Sequence, residues 1–215
     1  MYSAVVFDLD GTLMDTAPGV LSAVKYTIAT MGIRPLERQT ILKFIGPPVK
    51  HSFIKYCGLT EKEAARATGI FRDRYSNVDL LGANVYDGVF AILNQFKSRN
   101  IKIGVATYKR EDYAVRLLQQ KGIAQYCQAM KGADDLGIKS KRDILLECLY
   151  CLEIEEPCRA VLVGDTQHDS EGAAQAQVNF IGVTYGYGFK GVKDVPQNSL
   201  TLGAAQCPAD ILKFL

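Results

Sequence analysis

The chain has 215 residues, of which 48% are hydrophobic and 22% charged, a composition typical of a globular protein. Its 25 Lys and Arg nearly balance its 23 Asp and Glu, which argues against a nucleic-acid polymer or a membrane surface as partner. No apolar run reaches the roughly 18 residues of a membrane span. Asp8 interrupts the first apolar stretch before a signal peptide could form. We therefore expect a cytoplasmic protein with no membrane partner.

Apolar runs of strand length alternate with helical stretches along most of the chain. The runs are SAVVFDL (3–9), IKIGVATY (101–108), RAVLVGD (159–165) and FIGVTYG (180–186). Because they lack polar alternation, they indicate strands that are covered on both faces. The predicted fold class is α/β, with a Rossmann-like three-layer core and a mainly parallel sheet. Ligands of such sheets bind where the carboxyl ends of the strands meet.

Residues 16–81 do not follow this alternation of strands and helices, since they contain no strand-like run. Their patterns are helical: GVLSAVKYTIATMG, RQTILKFIG, KHSFIKYCG and EKEAARATGIFRDRYS. We predict an inserted α-helical cap domain over 16–81 and a catalytic core made of 1–15 and 82–215.

Polar residues follow the predicted strands at four places. They are Asp8 and Asp10 in DLDGT, Thr107 in ATYKR, Lys139 or Lys141 in GIKSKRD, and Asp165 with Asp169 in GDTQHD. Each motif alone is most often a turn or a helix cap. Together they lie at one edge of one predicted sheet, and this combination indicates a site. Asp8 and Asp10 are two residues apart, so in a strand they point the same way.

This order resembles the haloacid dehalogenase superfamily of phosphohydrolases, whose pattern is DxDGT, a strand-end Thr or Ser, a Lys, and GDxxxD. The helical insertion after the first motif looks like the cap of the phosphoglycolate phosphatase-like group. The stretches FIGPP (44–48), NVYDGV (84–89) and GVTYGYG (182–188) resemble the branch that contains bacterial phosphoglycolate phosphatases and 5′-nucleotidase-like members.

The resemblance implies four catalytic residues. Asp8 would attack phosphorus and form an aspartyl-phosphate. Asp10 would protonate the leaving oxygen and then take a proton from the hydrolytic water. Thr107 would hydrogen-bond the phosphoryl oxygens, and a lysine would neutralise them and hold Asp8.

A magnesium ion is the implied cofactor. Two like charges about 4 Å apart repel by roughly 4 kcal/mol at an effective dielectric near 20, and a phosphate dianion approaching these carboxylates meets several such repulsions. A hard divalent cation with oxygen ligands offsets them. By resemblance, the metal residues are Asp8, the Asp10 carbonyl and Asp165, with Asp169 in support.

Two departures from the family pattern concern the third motif and the residue after Thr107. KSKRD lacks the prolines of the common KPxPD form, so the lysine is either Lys139 or Lys141. We favour Lys141, which opens the following helix directly. Tyr108 is bulkier than the residue usual at its position, and we expect it to line and narrow the substrate pocket.

The predicted function is a Mg²⁺-dependent phosphomonoesterase that acts on small phosphorylated metabolites. Phosphoglycolate is the first expected substrate, with a 5′-nucleotide next. A phosphomutase and a non-catalytic binding protein of the same fold are the alternatives. Lys43 and Lys50, beside the Pro47–Pro48 turn, are predicted to bind the non-reacting end of the substrate. The sequence assigns no oligomeric state, and a monomer is compatible with it.

Overall fold

The computed structural model describes residues 2–135 and 137–215. The chain divides into two compact units. The larger unit contains the residues up to Asp15 together with Val85–Leu215, and the smaller unit is Thr16–Asn84. The roles of these units as catalytic core and cap stay predictions. Among the described residues, no helix combines the length and the apolarity that are needed to cross a membrane.

Strands within the described residues form one large sheet and one small sheet. In chain order they are β1 (Ala4–Phe7), β2 (Met14–Asp15), β3 (Asn84–Val85), β4 (Lys102–Arg110), β5 (Ala129–Ala133), β6 (Ala160–Gly164), β7 (Asn179–Val183) and β8 (Thr201–Ala205). The large sheet has six strands in the order β5-β4-β1-β6-β7-β8, and all of its neighbours pair in parallel. β2 and β3 form a separate two-stranded sheet.

The helices of the smaller unit are α1 (Ala17–Thr30), α2 (Arg38–Leu42), α3 (Val49–Cys57) and α4 (Glu61–Arg74). α4 continues into a π-helical turn, Tyr75–Asp79. The larger unit contains α5 (Val89–Ser98), α6 (Glu111–Gln120), α7 (Lys141–Cys151) and α8 (Gln167–Gln175), and its chain ends in a 3₁₀ segment, Pro208–Phe214.

The central strand β1 explains why the larger unit has three layers. All four of its residues are fully buried, so both faces of the sheet are covered. Phe7 lies against Phe96 of α5, with ring centroids 6.1 Å apart. The side chains of Ala4 and Val6 belong to a hydrophobic cluster that includes Ile144 of α7. Successive side chains of a strand point to opposite faces, and helices therefore cover both. The predicted α/β class with a parallel sheet is confirmed.

Strand order places the polar motifs. β1 pairs with β4 on one side and with β6 on the other, and Phe7 is in register with both Val105 and Val163. From β1 the chain builds β4 and β5 outward in one direction, and then β6, β7 and β8 in the other. Parallel α/β sheets bind ligands where the order reverses in this way, at the carboxyl ends of the strands. Asp8, Thr107 and Asp165 all lie at this edge.

Candidate active site

A buried ion pair joins the first and third motifs. Asp8 directly follows β1 and is only 7% exposed. The Nζ atom of Lys141 lies 2.6 Å from Asp8 Oδ1 and 2.7 Å from Asp169 Oδ1. Lys139 instead pairs with Glu147 at 2.7 Å, on a side chain that is 33% exposed. Of the two candidate lysines, Lys141 is therefore the one that contacts the aspartates.

Local capping fixes Lys141 at the beginning of α7. The hydroxyl of Ser140 accepts a hydrogen bond from the Asp143 N–H, and the Asp143 carboxylate accepts one from the Ser140 N–H. This capping box starts the helix at Lys141. Gly172 of α8 leaves room for the lysine, because a Cβ at that position would lie 2.6 Å from Lys141 Cγ.

The fourth motif holds its two aspartates in different ways. Asp169 closes a capping box with Thr166 at the beginning of α8, and its second oxygen contacts Lys141. Asp165 Oδ2 accepts hydrogen bonds from the N–H groups of Tyr187 at 2.7 Å and Gly188 at 3.0 Å. Asp165 Oδ1 is buried and has no hydrogen-bond partner among the described residues.

These carboxylates suit a hard divalent cation. Asp8, Asp165 and Asp169 each offer an oxygen, and these oxygens lie within 4.8 Å of one another. Burial, followed by the charges of Asp169 and Asp8, raises the pKa of Asp165 to about 8. Burial raises the pKa of Asp8 to about 7, although the neighbouring Lys141 lowers it. A bound cation would favour the charged forms and occupy the open oxygen of Asp165. The residues present therefore fit Mg²⁺.

Lys109 contributes a second buried cation, which was not among the site residues predicted from the sequence. Its Nζ atom lies 3.1 Å from Asp10 Oδ1, and both side chains are at most 8% exposed. This contact is an ion pair but not a hydrogen bond. Asp10 Oδ1 therefore has no hydrogen-bond partner among the described residues and can still accept one. The Lys109 N–H donates to the Thr107 hydroxyl at 3.2 Å. The spacing of Lys109 from Thr107 at the end of a buried strand was the signal available in the sequence.

The balance of buried charges also indicates a divalent cation at this site. Four buried carboxylates, those of Asp8, Asp10, Asp165 and Asp169, lie with the ammonium groups of Lys109 and Lys141. With every group ionised, the carboxylates exceed the ammonium groups by two charges. One divalent cation balances this excess.

A Gly-rich stretch after β7 completes the edge of the site. The N–H groups of Tyr187 and Gly188 hold Asp165, and the Tyr185 hydroxyl donates to the Thr12 carbonyl at 3.0 Å. Gly11 has a φ of +81°, and a Cβ there would collide with the Asp165 carboxylate. Glycine is therefore needed at position 11, where the DLDGT turn passes close to the fourth motif.

The remaining predicted site residues have other surroundings. Tyr108 is partly buried, and its hydroxyl accepts a hydrogen bond from the Lys141 N–H at 2.9 Å. Lys43 and Lys50 belong to the smaller unit. Within that unit, Lys43 lies 5.8 Å from the centre of the Tyr56 ring, and Lys50 pairs with Glu61 at 2.6 Å. Their role as substrate ligands stays a prediction.

Comparison with known proteins identifies the family. The model of the family described as haloacid dehalogenase-like hydrolase matches residues 5–183. The chain belongs to the haloacid dehalogenase-like hydrolases. The matched range includes most of β1, Asp8, Thr107, Lys141 and the GDTQHD motif. The resemblance read from those motifs is confirmed.

Relatives of this haloacid dehalogenase-like hydrolase carry several names. The chain is 35% identical to the tyrosine-protein kinase PtkA of Mycobacterium tuberculosis. The match covers 86% of this chain but only 62% of the length of that relative. It is 30% identical to a 5′-nucleotidase of Pseudomonas aeruginosa, covering 87% of this chain and 85% of the other. It is 32% identical to a phosphoglycolate phosphatase of Rhodospirillum rubrum, covering 87% and 81%.

Solved structures agree with the family and the enzyme class. A predicted phosphatase from Clostridium acetobutylicum superposes with a TM-score of 0.86 at 32% identity, over 99% of this chain and 96% of the other. The homologues by family, sequence and structure include haloacid dehalogenase-like phosphatases. These homologues agree with the predicted enzyme class.

Proposed function

We propose that this protein is a Mg²⁺-dependent phosphomonoesterase that hydrolyses small phosphorylated metabolites through an aspartyl-phosphate on Asp8. The observation that supports this most is the buried pair of Asp8 and Lys141 beside Asp165, whose Oδ1 has no hydrogen-bond partner among the described residues. A carboxylate held by an ammonium group next to a cation site is suited to attack phosphorus.

The first step transfers the phosphoryl group to the protein. A carboxylate oxygen of Asp8 forms a bond to phosphorus while the ester P–O bond breaks. Asp10 donates a proton to the leaving oxygen, and the alcohol departs. The Thr107 hydroxyl, which accepts a hydrogen bond from the Lys109 N–H, has its own proton to donate to a phosphoryl oxygen. Lys141 neutralises charge that develops on the phosphoryl group.

The second step returns the protein to its starting state. Asp10, now a carboxylate, takes a proton from a water molecule as the water oxygen bonds to phosphorus. The Asp8–phosphorus bond breaks, and phosphate leaves. The Lys109 Nζ atom, 3.1 Å from Asp10 Oδ1, holds this carboxylate in place.

Asp8, the Asp10 carbonyl and Asp165 Oδ1 would hold the magnesium ion. When it is bound, it offsets the repulsion between the carboxylates and the phosphate dianion. Asp169 acts through Lys141, because its own oxygens already accept from Thr166 and contact that lysine.

Phosphoglycolate is the first substrate that we propose, and it carries a carboxylate besides its phosphate. The smaller unit, Thr16–Asn84, would act as the cap that selects the non-reacting end of the substrate. Lys43 and Lys50 are the cations proposed to meet that carboxylate. The ion pair of Lys50 with Glu61 is exposed, and such a pair is easily exchanged for another anion. The relative named 5′-nucleotidase supports a nucleoside monophosphate as the second candidate substrate.

Phosphoryl transfer to tyrosine is a second candidate function, since one relative at 35% identity is named tyrosine-protein kinase. The same Asp8 and Lys141 would serve it, but the phosphoryl group would then pass to a tyrosine hydroxyl instead of water.

One set of assays separates these candidates. Purified protein is assayed with p-nitrophenyl phosphate in Mg²⁺ and in excess EDTA, then with phosphoglycolate, nucleoside monophosphates and sugar phosphates. A parallel reaction with ATP and a tyrosine peptide tests the kinase. We expect Mg²⁺-dependent release of phosphate, with phosphoglycolate showing the highest kcat/KM. Tyrosine phosphorylation without phosphatase turnover would contradict the proposal.

A further inference from the structure

Tyr108 follows the proposed catalytic residue Thr107 in the chain and contacts another, Lys141. It is not itself one of the family's motif residues. It follows Thr107 in β4, and its ring packs against the hydrophobic cluster that includes Ile144 and Leu145 of α7. The sequence predicts that this ring lines the substrate pocket. Its contacts in the structure also reach the helix that begins with Lys141.

The Tyr108 hydroxyl supports the first turn of α7. The first N–H groups of a helix have no partner within the helix. The Ser140 hydroxyl accepts from one of them, that of Asp143. The Lys141 N–H donates to the Tyr108 hydroxyl at 2.9 Å. This hydrogen bond joins the end of β4 to the beginning of α7.

The same ring also contacts the other end of Lys141. The Lys141 Nζ atom lies 5.8 Å from the centre of the Tyr108 ring, within the range of a cation–π contact. Lys141 is only 2% exposed, and its ammonium group contacts Asp8 and Asp169. Movement of its backbone would therefore shift an ammonium group that has little room to readjust.

His168 of α8 contacts the Tyr108 ring. Its ring meets the Tyr108 ring edge-to-face, with centroids 5.8 Å apart and an interplanar angle of 86°. His168 precedes Asp169, which is the other carboxylate on Lys141. One aromatic ring thus touches both helices that bring the lysine and its partner together.

We propose that Tyr108 is a positioning residue that sets the place of the Lys141 ammonium group, through a hydrogen bond to its backbone and a ring contact to its Nζ atom. This inference rests on the proposed phosphatase function. It adds a role at the catalytic lysine to the prediction that Tyr108 lines the substrate pocket, which stays a prediction.

The test compares Tyr108→Phe with Tyr150→Phe, which removes a hydroxyl from an 85% exposed tyrosine of α7, the helix that begins with Lys141. With p-nitrophenyl phosphate and saturating Mg²⁺, we expect Tyr108→Phe to lower kcat about tenfold while KM stays within twofold. Tyr150→Phe should match wild type. In hydrogen exchange, the Lys141 amide should lose protection in Tyr108→Phe and keep it in Tyr150→Phe.

A double-mutant cycle with Lys141→Ala decides whether Tyr108 acts through the lysine. In the Lys141→Ala background, Tyr108→Phe should reduce kcat by less than twofold. A full tenfold loss in that background, or a raised KM with unchanged kcat, would overturn the positioning role. Wild-type protein without any turnover would overturn the proposed function itself, whereas active wild type with an equally active Tyr108→Phe variant would overturn only this inference.

Discussion

Lys141 Nζ contacts Asp8 Oδ1 at 2.6 Å, although 133 positions of sequence separate the two residues. The sheet makes this contact possible, because β1 ends at the site and α7 begins there. The lysine is buried, and burial alone would lower its pKa. Asp169 and Asp8 together outweigh that effect and raise its pKa above the ordinary value. The ammonium group therefore stays charged over the physiological pH range.

This contact predicts different effects for the two candidate lysines. Lys141→Ala removes the charge beside Asp8. We expect kcat/KM to fall by an amount that corresponds to a loss of about 2–4 kcal/mol of transition-state stabilisation. Lys139→Ala is the matched control, since Lys139 contacts Glu147 instead. It should leave kcat/KM within about twofold. Steady-state kinetics with p-nitrophenyl phosphate measure both. Reversed losses would mean that the lysine of the KPxPD-like alignment, Lys139, is the catalytic one.

Asp165 predicts how the stability of the metal-free protein depends on pH. Burial raises its pKa in the folded protein from the ordinary 3.8 to about 8. Between these values the folded protein binds more protons than the unfolded chain. The free energy of unfolding should therefore fall as pH rises from about 4 to 8. Urea unfolding in EDTA at pH 6 and pH 8 measures this slope, and Asp165→Asn should make it shallower. An equal slope in that variant would contradict the assignment.

Asp165→Asn should also make the metal-free protein more stable and weaken its binding of Mg²⁺. In EDTA at pH 7, we expect it to raise the free energy of unfolding by about 1 kcal/mol or more, because an amide does not have to take up a proton when the chain folds, as the Asp165 carboxylate does. Added Mg²⁺ at 100 times its Kd should stabilise wild type by about 2.7 kcal/mol. It should stabilise the variant far less. Thermal unfolding with and without Mg²⁺ checks both effects, and equal stabilisation of the two proteins would contradict the metal site.

Lys109 is expected to matter through Asp10. Lys109→Met removes the buried cation 3.1 Å from Asp10 Oδ1, and we expect kcat to fall by about 10- to 100-fold. Lys131→Met is the control on the neighbouring strand β5, since Lys131 lies 3.9 Å from Glu111 on a half-exposed surface. Its kcat should be unchanged. Full activity of Lys109→Met would show that Asp10 needs no neighbouring cation.

The proposed cap ligands predict a substrate-dependent effect. Changing Lys43 and Lys50 together to Met should raise KM for phosphoglycolate and leave KM for p-nitrophenyl phosphate, which has no carboxylate, unchanged. Lys62→Met on α4 of the same unit is the control and should alter neither constant. Equal effects on both substrates, or a wild-type preference for nucleoside monophosphates, would favour the nucleotidase assignment.

The sequence predicted the parts of the fold that depend on long apolar runs. β1, β4, β6 and β7 lie within the four predicted runs or extend them by one or two residues. β5 (AMKGA) and β8 (TLGAA) were not predicted, because they are short and contain glycine with small or polar residues. Both lie at the edges of the sheet, where fewer apolar side chains are needed.

The site was predictable only where a motif specifies a side chain. Asp8 and Asp165 end apolar runs, so their positions were evident. The role of Tyr187 was not, because its main-chain N–H binds Asp165 and any non-proline residue supplies that group. The contact of Lys109 with Asp10 depends on how β4 and the DLDGT turn lie together, which only the folded chain shows.

The central claim is that Asp8 carries the phosphoryl group. The most direct measurement is to mix enzyme, Mg²⁺ and p-nitrophenyl phosphate, quench with acid during turnover, and reduce the protein with borohydride, which converts an acyl phosphate into an alcohol. Peptide mass spectrometry then locates the change. We expect homoserine at position 8 in wild type, no such product in EDTA, and none in Asp8→Asn. Turnover that leaves Asp8 unmodified, or persists in Asp8→Asn, would contradict this claim.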